Sequence, residues 1–535
     1  MEMPNGAKIQ VIKQIPYVYI DKPYWKAEKK RGEQKRNYVG KLVDDEFIPN
    51  GKYLLSIHSK SKTTTRRSQP PAAVCQRKFY GATYLLNQIG FKLGIHADLK
   101  TCFPQSYQQI ESICYYLILE SGQSMYRFRK WGLTHVHPFT DVLTSQRISE
   151  LLGNIKETGK MEFFKRQAAR RAETEYLAFD TTSISSYSEL IKQAKYGKNK
   201  EGDSLPQINL GLLYGEKSKL PVYYRKLAGN TADVVIVRNL LKDISFLELE
   251  KLSFVMDRGF YSERNINELM KHHHKFLIGT RCSLKLIRQH LEKVQGEKFT
   301  DWKNYHEDIG LYAQTFSTHW DYEERKPRSG EIVTGKRRVY IHLYFNPQRC
   351  TDEQLSFTHK LTRLQAELLS NHRVPGHEKE YERYFICHET PKRGMTVTAN
   401  EEAIYAKKKD FGYFALLSNS IKDPVEAIHI YRNKDLIEKS FGNLKERLDM
   451  RRMSIASEEN FEGKLFIQFV ALMYLSYIKK QMDEKQLFKN FTMQTLLDEL
   501  DIIEQYQQTG HDSHLSEMTT KQVALYLAMD VGIPS

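Results

Sequence analysis

The sequence predicts an α/β core, and three observations carry that prediction. From residue 175 onward, short apolar runs rich in aromatic and β-branched residues alternate with stretches whose apolar positions recur at three- and four-residue spacing. The first three runs follow one another directly, whereas the later ones are separated by helical stretches. Two of the runs, Leu177-Ala178-Phe179-Asp180 and Phe254-Val255-Met256-Asp257, end on an aspartate.

Taken in order, strands are expected at 176–180, 207–214 and 220–225, then a helix at 234–244, a strand at 252–257, a helix at 263–271 and a strand at 276–279. Three strands in meander followed by helix, strand, helix and strand is the β-β-β-α-β-α-β order of a ribonuclease-H-like core. Its first part covers 175–295. Regularity then stops, and 296–409 reads as a strand-rich inserted unit with Trp302, Trp320, a strand at 339–345 and a helix at 352–370. The core resumes over 410–455 with a strand at 411–417 and a long helix at 424–448. A second amphipathic helix, about 461–482, belongs to a helical C-terminal region, 456–535.

Upstream, 15–20 and 36–42 read as two strands joined by a charged turn around Gly32, a small basic β-hairpin module within 1–58. Residues 59–71, SKSKTTTRRSQPP, have no apolar periodicity and end in Pro70-Pro71, which marks a linker. Helical spacing returns over 72–174, as in Ile110, Ile113, Cys114, Leu117 and Ile118. Thr144-Ser145 before Gln146-Arg147-Ile148 makes a helix start, and a short helix with exposed Gln and Arg suits a DNA groove as well as it suits a plain connector.

Bulk properties bound the function. At 535 residues the chain is too long for one core, so roughly three or four units are expected. With 40% hydrophobic and 12% aromatic residues it is globular, and no run of about 18 uncharged apolar residues offers a membrane span. Met1-Glu2-Met3-Pro4-Asn5-Gly6 lacks the layout of a signal peptide. The six cysteines, Cys75, Cys102, Cys114, Cys282, Cys350 and Cys387, form no C-x-x-C pair, so a reducing cytoplasm and no zinc site are expected. A net charge of +16 and a pI near 9.2 point to a polyanionic partner, with an ordinary basic enzyme as the alternative. The distribution favours nucleic acid: Lys22, Lys26, Lys29, Lys30, Arg31, Lys35, Arg36 and Lys41 are interleaved with Tyr24, Trp25 and Tyr38.

Asp180 and Asp257 each end an apolar strand, where a carboxylate held over a crevice makes a good oxygen ligand for Mg2+. Each is also followed by turn-like residues, Thr181-Thr182-Ser183 and Arg258-Gly259, so ordinary turn chemistry explains either one alone. Further on, Tyr431, Lys434, Glu438 and Lys445 are separated by three, four and seven positions, which places all four on one helical face. A rise of about 1.5 Å per residue puts Tyr431 and Lys445 roughly 10 Å on either side of Glu438, too far to share its ion. His272-His273-His274 imitates a metal cluster, but adjacent residues cannot all face one ion, and a helix end before the next strand accounts for them.

With these residues the sequence resembles the DDE insertion-sequence transposases of the hairpin-forming Y-R-E-K type. Their signature Y-x2-R-x3-E-x6-K is met by Tyr431, Lys434 in the Arg place, Glu438 and Lys445. Phe179-Asp180-Thr181-Thr182 and Met256-Asp257-Arg258-Gly259-Phe260-Tyr261-Ser262 are similar to the family's two upstream acidic motifs. The resemblance extends from about 172 to 448. It implies that Asp180, Asp257 and Glu438 are catalytic and hold two Mg2+ ions about 3.5–4 Å apart, with Mn2+ able to substitute. It further implies that Tyr431, Lys434, Lys445 and Arg258 contact DNA, although Lys at 434 lacks the bidentate fork of Arg. Trp302 or Trp320 would hold a base flipped from the DNA end, unless each is simply core. Lys29, Lys30, Arg31, Lys35 and Arg36 would bind DNA from the N-terminal hairpin.

The expected activity is therefore cut-and-paste transposition: binding of terminal inverted repeats, pairing of ends in a homodimeric synapse, strand cleavage and strand transfer into target DNA. No membrane and no small-molecule substrate are expected. A transposase-derived DNA-binding protein without catalysis is the alternative, disfavoured by retention of all three acids. A plain nuclease is disfavoured by the basic N-terminal region.

Overall fold

The computed structural model describes residues 3–12, 15–26, 31–43, 46–54, 75–171, 175–187, 191–197, 205–231, 233–246, 252–325, 332–390, 394–434, 441–448, 452, 453, 455, 457–508 and 512–535. The chain divides into two compact units, residues 1–75 with 508–511, and residues 76–507 with 512–535. The expected linker at 59–71 falls outside the described residues.

In the first unit four antiparallel strands, β1 (Lys8–Ile12), β2 (Ile15–Lys26), β3 (Arg31–Val43) and β4 (Glu46–Pro49), pair in sequence order. The expected hairpin is its centre, extended by a short strand at each side. The turn does not fall around Gly32: that glycine lies in β3 opposite Trp25, and the strands are joined by residues 27–30. Val18, Val39 and Phe47 form a small core, backed by Ile20, Leu42 and Tyr53.

Apart from its end residues Cys75 and Gln508, the three-stranded sheet of β5 (Cys75–Phe79), Glu504–Gln508 and His514–Leu515 belongs to the second unit. Helices follow at Gly81–Lys92, Ile95–Cys102, Tyr107–Leu119, Phe128–Thr134, Ser145–Asn154 and Glu157–Ala169. Thr144 accepts a hydrogen bond from the Arg147 amide at 3.3 Å and so caps the helix expected there, with Gln146 and Arg147 exposed. These helices close around Glu458–Glu484. That helix is not the amphipathic one predicted; it is buried on nearly every side, as an all-round apolar surface requires. It is long and apolar enough to cross a membrane, but 89% of its most apolar window is covered by the protein itself. Gly463 lets it approach closely, since a Cβ there would lie 2.1 Å from the Leu152 carbonyl oxygen.

The central sheet follows the predicted order. β6 (Tyr176–Ser186), β7 (Gln207–Gly215) and β8 (Pro221–Ala228) form an antiparallel meander. After the helix Asp233–Phe246, β9 (Ser253–Met256) lies parallel to β6; after the helix Glu263–Lys271, β10 (Lys275–Thr280) lies parallel to β9. The resulting β8-β7-β6-β9-β10 arrangement is that of a ribonuclease-H-like core. Phe276, Leu277 and Ile278 have no exposed surface, the mark of a strand covered on both faces.

The region read as an insertion is only partly separate. β11 (Tyr305–His306), β12 (Leu311–Arg325) and β13 (Ile332–Phe345) continue the central sheet through β16 (Tyr413–Ser418), which is antiparallel to both β13 and β10. The intervening helices Pro347–Leu369, Glu378–Tyr384 and Glu401–Lys408 pack, with the hairpin β14 (Phe385–Thr390) and β15 (Gly394–Ala399), on a second small core around Phe357, Leu364 and Tyr384. A two-residue strand, β17 (Arg452–Met453), pairs with the far end of β6.

Candidate active site

The site begins with strand register. β6 and β9 run parallel with Phe179 opposite Met256, so the next step along each strand sets Asp180 beside Asp257. Neighbouring strands lie about 4.8 Å apart, and residues in register project to the same face. Along β6 only Tyr176 and Asp180 escape full burial. Asp180 Oδ1 accepts the Thr181 amide at 2.7 Å. Asp257 keeps extended backbone and opens the short 3-10 turn Arg258–Phe260.

Asp257 is half-exposed and surrounded by donors. The Tyr431 hydroxyl donates to its Oδ1 at 2.7 Å, and the Lys434 ammonium lies 3.9 Å from the same oxygen. Partial burial opposes ionisation, but the Tyr431 hydrogen bond, the Arg258 amide and the charges of Lys434 and Arg258 outweigh it, holding the carboxyl below its ordinary range. Asp257 is thus an anion at neutral pH. Gly279 makes this contact possible: a Cβ there would come within 2.6 Å of the Tyr431 hydroxyl and 3.1 Å of the Arg258 nitrogen.

The predicted helix over 424–448 is shorter in its described part, Pro424–Arg432, and Asn433 closes it. Lys434 therefore stands in the following turn rather than on a helical face with Tyr431, and its ammonium sits 5.3 Å from the centre of the Tyr431 ring. Glu438 lies outside the described residues. Lys445 is half-buried in the π-helical turn Asn443–Arg447. The separation expected between Tyr431 and Glu438 therefore falls outside the described residues; Tyr431 itself bonds directly to Asp257, 174 residues away in sequence.

A crevice of about 1090 Å3 opens beside Asp257. Arg258, Arg281, Lys407, Arg432 and Lys434 line it, together with Arg349 and Lys360 from the helix Pro347–Leu369. Arg349 is paired to Glu353 at 2.9 Å and Lys360 to Glu380, while the Asp410 carboxylate in the wall is taken by a bidentate Arg288. Arg281 is exposed and makes no ion pair among the described residues. Seven cations face four acids in this lining, Asp257, Asp352, Glu353 and Asp410, so its net charge is positive, which suits a polyanion. Sequence reading missed the contributions of Gly279, Arg281, Arg349 and Lys407. The only available signal was the strand Phe276-Leu277-Ile278-Gly279, which ends at this wall.

The two tryptophans differ. Trp302 is 78% exposed at the start of a 3-10 turn beside Lys303. Trp320 is partly buried in β12 and donates its indole N–H to Asn267 Oδ1 at 2.8 Å, a structural engagement. Of the N-terminal cations, Lys29 and Lys30 lie outside the described residues, Arg31 begins β3, and Lys35 and Arg36 are exposed opposite Lys22 and Asp21. In the histidine run, His274 is buried and its Nδ1 accepts the Leu252 amide at 3.2 Å, so it braces the start of β9 and β10.

Two adjacent carboxylates, one of them firmly ionised, are the donor type that a hard divalent cation takes. Among the described residues no three His, Cys, Asp or Glu side chains converge on one metal position.

Comparison with solved structures finds a piggyBac transposase synaptic complex with hairpin DNA at 10% identity, covering 83% of this chain and 74% of that one, with a TM-score of 0.31. A Mos1 transposase paired-end complex with the left transposon end matches at 13% identity over 47% and 67%, with a TM-score of 0.11. Likenesses this loose carry no argument about fold or partners. Comparison with curated proteins gives no match. The transposase DDE domain pattern, by contrast, matches residues 171–474, more than half of the chain and the whole of the central sheet. The chain that sets Asp180 beside Asp257 belongs to the transposase DDE domain family.

Proposed function

We propose that this transposase binds the terminal inverted repeats of an insertion sequence, cleaves DNA strands at their ends and joins them to target DNA, acting as a homodimer in the synaptic complex. The observation that carries the reading is the β6–β9 register, which pairs Phe179 with Met256 one residue before Asp180 and Asp257, together with the net-positive crevice that Asp257 lines. Asp180, Asp257 and Glu438 are the proposed catalytic acids and ligands for Mg2+, with Mn2+ as substitute. Bound there, such ions supply activation of the attacking oxygen and stabilisation of the leaving one.

The chain's own residues do the rest. Tyr431 and Lys434 keep Asp257 ionised and aimed into the crevice. Arg258, Arg281 and Lys407 hold the DNA backbone along the wall. Lys445 supports a neighbouring phosphate, and Trp302 offers an exposed indole for an unstacked base. Trp320 is bound into β12 and is the weaker candidate for that role. The N-terminal cations Lys29, Lys30, Arg31, Lys35 and Arg36 add end recognition. The Y-R-E-K hairpin route is the proposed order of cleavage.

The test uses full-length protein, DNA carrying the element's end and Mg2+. Cleavage and strand transfer by the wild type, lost in Asp180→Asn, Asp257→Asn and Glu438→Gln with end binding retained, is the expected result. End binding without cleavage by the wild type would establish a DNA-binding protein instead.

A further inference from the structure

The N-terminal sheet turns its small core, Val18, Val39 and Phe47, to one side. Strand alternation turns their neighbours Tyr17, Tyr38 and Ile48 to the other. There a groove of about 430 Å3 is lined by Ile12, Tyr17, Tyr38, Lys41, Ile48 and Pro49, with no acidic residue in its wall. Ile12, Tyr38 and Ile48 are 38%, 39% and 45% exposed. An apolar slot this open on a module so basic calls for an occupant.

The aromatic side of the groove is organised in advance. The Tyr17 and Tyr38 rings meet edge to face at 6.1 Å, Tyr38 meets Tyr19 at 5.8 Å, and the Arg36 guanidinium lies 5.0 Å from the centre of the Tyr19 ring. The Tyr38 hydroxyl and Arg36 Nη1 both donate to Gln10 Oε1, at 3.0 and 2.7 Å. The row Tyr17, Tyr38, Tyr19, Arg36 is therefore fixed without any ligand. Lys35, Arg36 and Lys41 are exposed along the same strand, and residues 1–75 hold 15 Lys and Arg against 7 Asp and Glu.

We propose that this groove binds an unpaired base of a DNA strand, stacked against Tyr38 and Tyr17, with the adjoining phosphates on Arg36 and Lys41. Charge selects the class of partner: an aromatic slot with no acid in its wall, flanked by Arg36 and Lys41 and with the nearby Asp21 neutralised by Lys8 at 3.1 Å, suits a base attached to phosphates. Stacking selects the single strand, because in a duplex both faces of every internal base are covered by its neighbours, whereas an unpaired base has a face free for the tyrosines. Stacking on tyrosine is tolerant of base identity, so the site adds affinity for opened DNA without reading its sequence. The proposal rests on the reading of the chain as a DNA transposase and names the form of DNA that its N-terminal module takes.

The test is fluorescence anisotropy of the full chain with a labelled oligothymidine of about fifteen nucleotides and with a blunt duplex of mixed sequence and the same length. Tyr17→Ala/Tyr38→Ala is expected to weaken single-strand binding on the order of tenfold to a hundredfold, with duplex binding and the salt slope unchanged. Tyr38→Leu, which keeps apolar bulk, guards against misfolding and is expected to show a loss of the same kind. Lys41→Ala is expected to reduce the slope of log K against log salt by about 0.7 for the single strand. Equal loss for duplex and single strand, or unchanged single-strand binding, overturns the groove assignment. So does a shift in sedimentation with DNA affinity intact, which would assign the groove to a second copy of the chain. A wild type that binds neither DNA overturns the transposase reading along with it, whereas a wild type that binds both and tyrosine variants that bind equally well overturn the groove alone.

Discussion

Asp180 stands within β6 and Asp257 just past the end of β9, Tyr431 and Lys434 at the end of a helix, and the two pairs are held by different means. β6 is hydrogen-bonded to β7 and β9, and β9 to β6 and β10, so neither acid can shift along its strand without breaking two ladders. The helix Pro424–Arg432 has nine residues, too few to be stable alone, and depends on tertiary contacts. Ala427 and Ile428 are buried, Asp423 Oδ2 accepts the Glu426 amide at 2.7 Å, and the Tyr344 hydroxyl donates to the Pro424 carbonyl at 2.7 Å. The strands thus give the acids a rigid frame, and the helix end supplies partners that, on the proposed function, are exchanged when DNA or metal arrives.

The largest effect that sharpens this comparison lies on the strands. Asp180→Asn or Asp257→Asn is expected to lower strand cleavage by about three orders of magnitude, the scale of several kcal/mol that metal coordination gives a transition state. Thermal stability is expected to change little, because the ladders remain. A large fall in melting temperature would show that the acids are part of the frame rather than passengers on it.

Next comes Gly279, where the frame meets the helix. Gly279→Ala drives a methyl into the Tyr431 hydroxyl and is expected to cost about 1–3 kcal/mol in urea unfolding, as overpacking does. Adding Tyr431→Phe removes the clashing oxygen and is expected to recover part of that loss. Additive losses in the double variant would mean that the two residues are uncoupled.

Acid titration reaches the frame itself. Burial lowers His274 and His342 from the ordinary 6.5 to about 4 in the folded chain. Folded values below the unfolded one mean that, between about pH 6.5 and 4, the unfolded chain binds more protons. Stability is full above that window and declines as pH falls through it. Melting temperature is expected to drop by several degrees from pH 7 to pH 5, and His342→Leu is expected to flatten the slope.

Much of the frame was legible because buried strands are apolar runs: Leu177-Ala178-Phe179 and Phe254-Val255-Met256 announce themselves. Order along the chain then yields the ribonuclease-H-like sheet. The continuation of that sheet into β12 and β13 was hidden, because Thr315, Ser317 and His319 break the apolar signal on strands with one open face. The end of the helix at Arg432 was hidden as well, since Asn433 closes it without a glycine or proline to mark the stop. Gln468 and Gln481, both buried, made the helix Glu458–Glu484 look two-faced. Tyr431 on Asp257 is a contact across the fold that no local spacing encodes.

The smallest expected effect lies in that contact and discriminates most finely between frame and helix. If Tyr431 served DNA alone, Tyr431→Phe would leave Asp257 as it is. The structure has the Tyr431 hydroxyl and the Arg258 amide acting on the carboxylate from opposite elements, so loss of the hydroxyl removes one of its lowering influences. The Asp257 pKa is expected to rise toward the ordinary Asp value of about 3.9, followed by carbon-13 NMR of labelled aspartate in metal-free protein. A depressed folded value contributes stability above the unfolded pKa of about 3.9 and loses it as pH falls through the folded one, so the variant is expected to differ from wild type at neutral pH and to converge with it in acid. Because Asp257 is half-exposed, solvent screens the effect, and the stability change at neutral pH is expected to stay under about 1 kcal/mol. The metal response is the second readout: with one competitor for Oδ1 gone, Mn2+ is expected to bind Tyr431→Phe no more weakly than wild type, and DNA handling to suffer separately. Weaker Mn2+ binding with an unchanged Asp257 pKa would place Tyr431 among the supports of the metal site and remove the distinction between rigid frame and exchangeable partner.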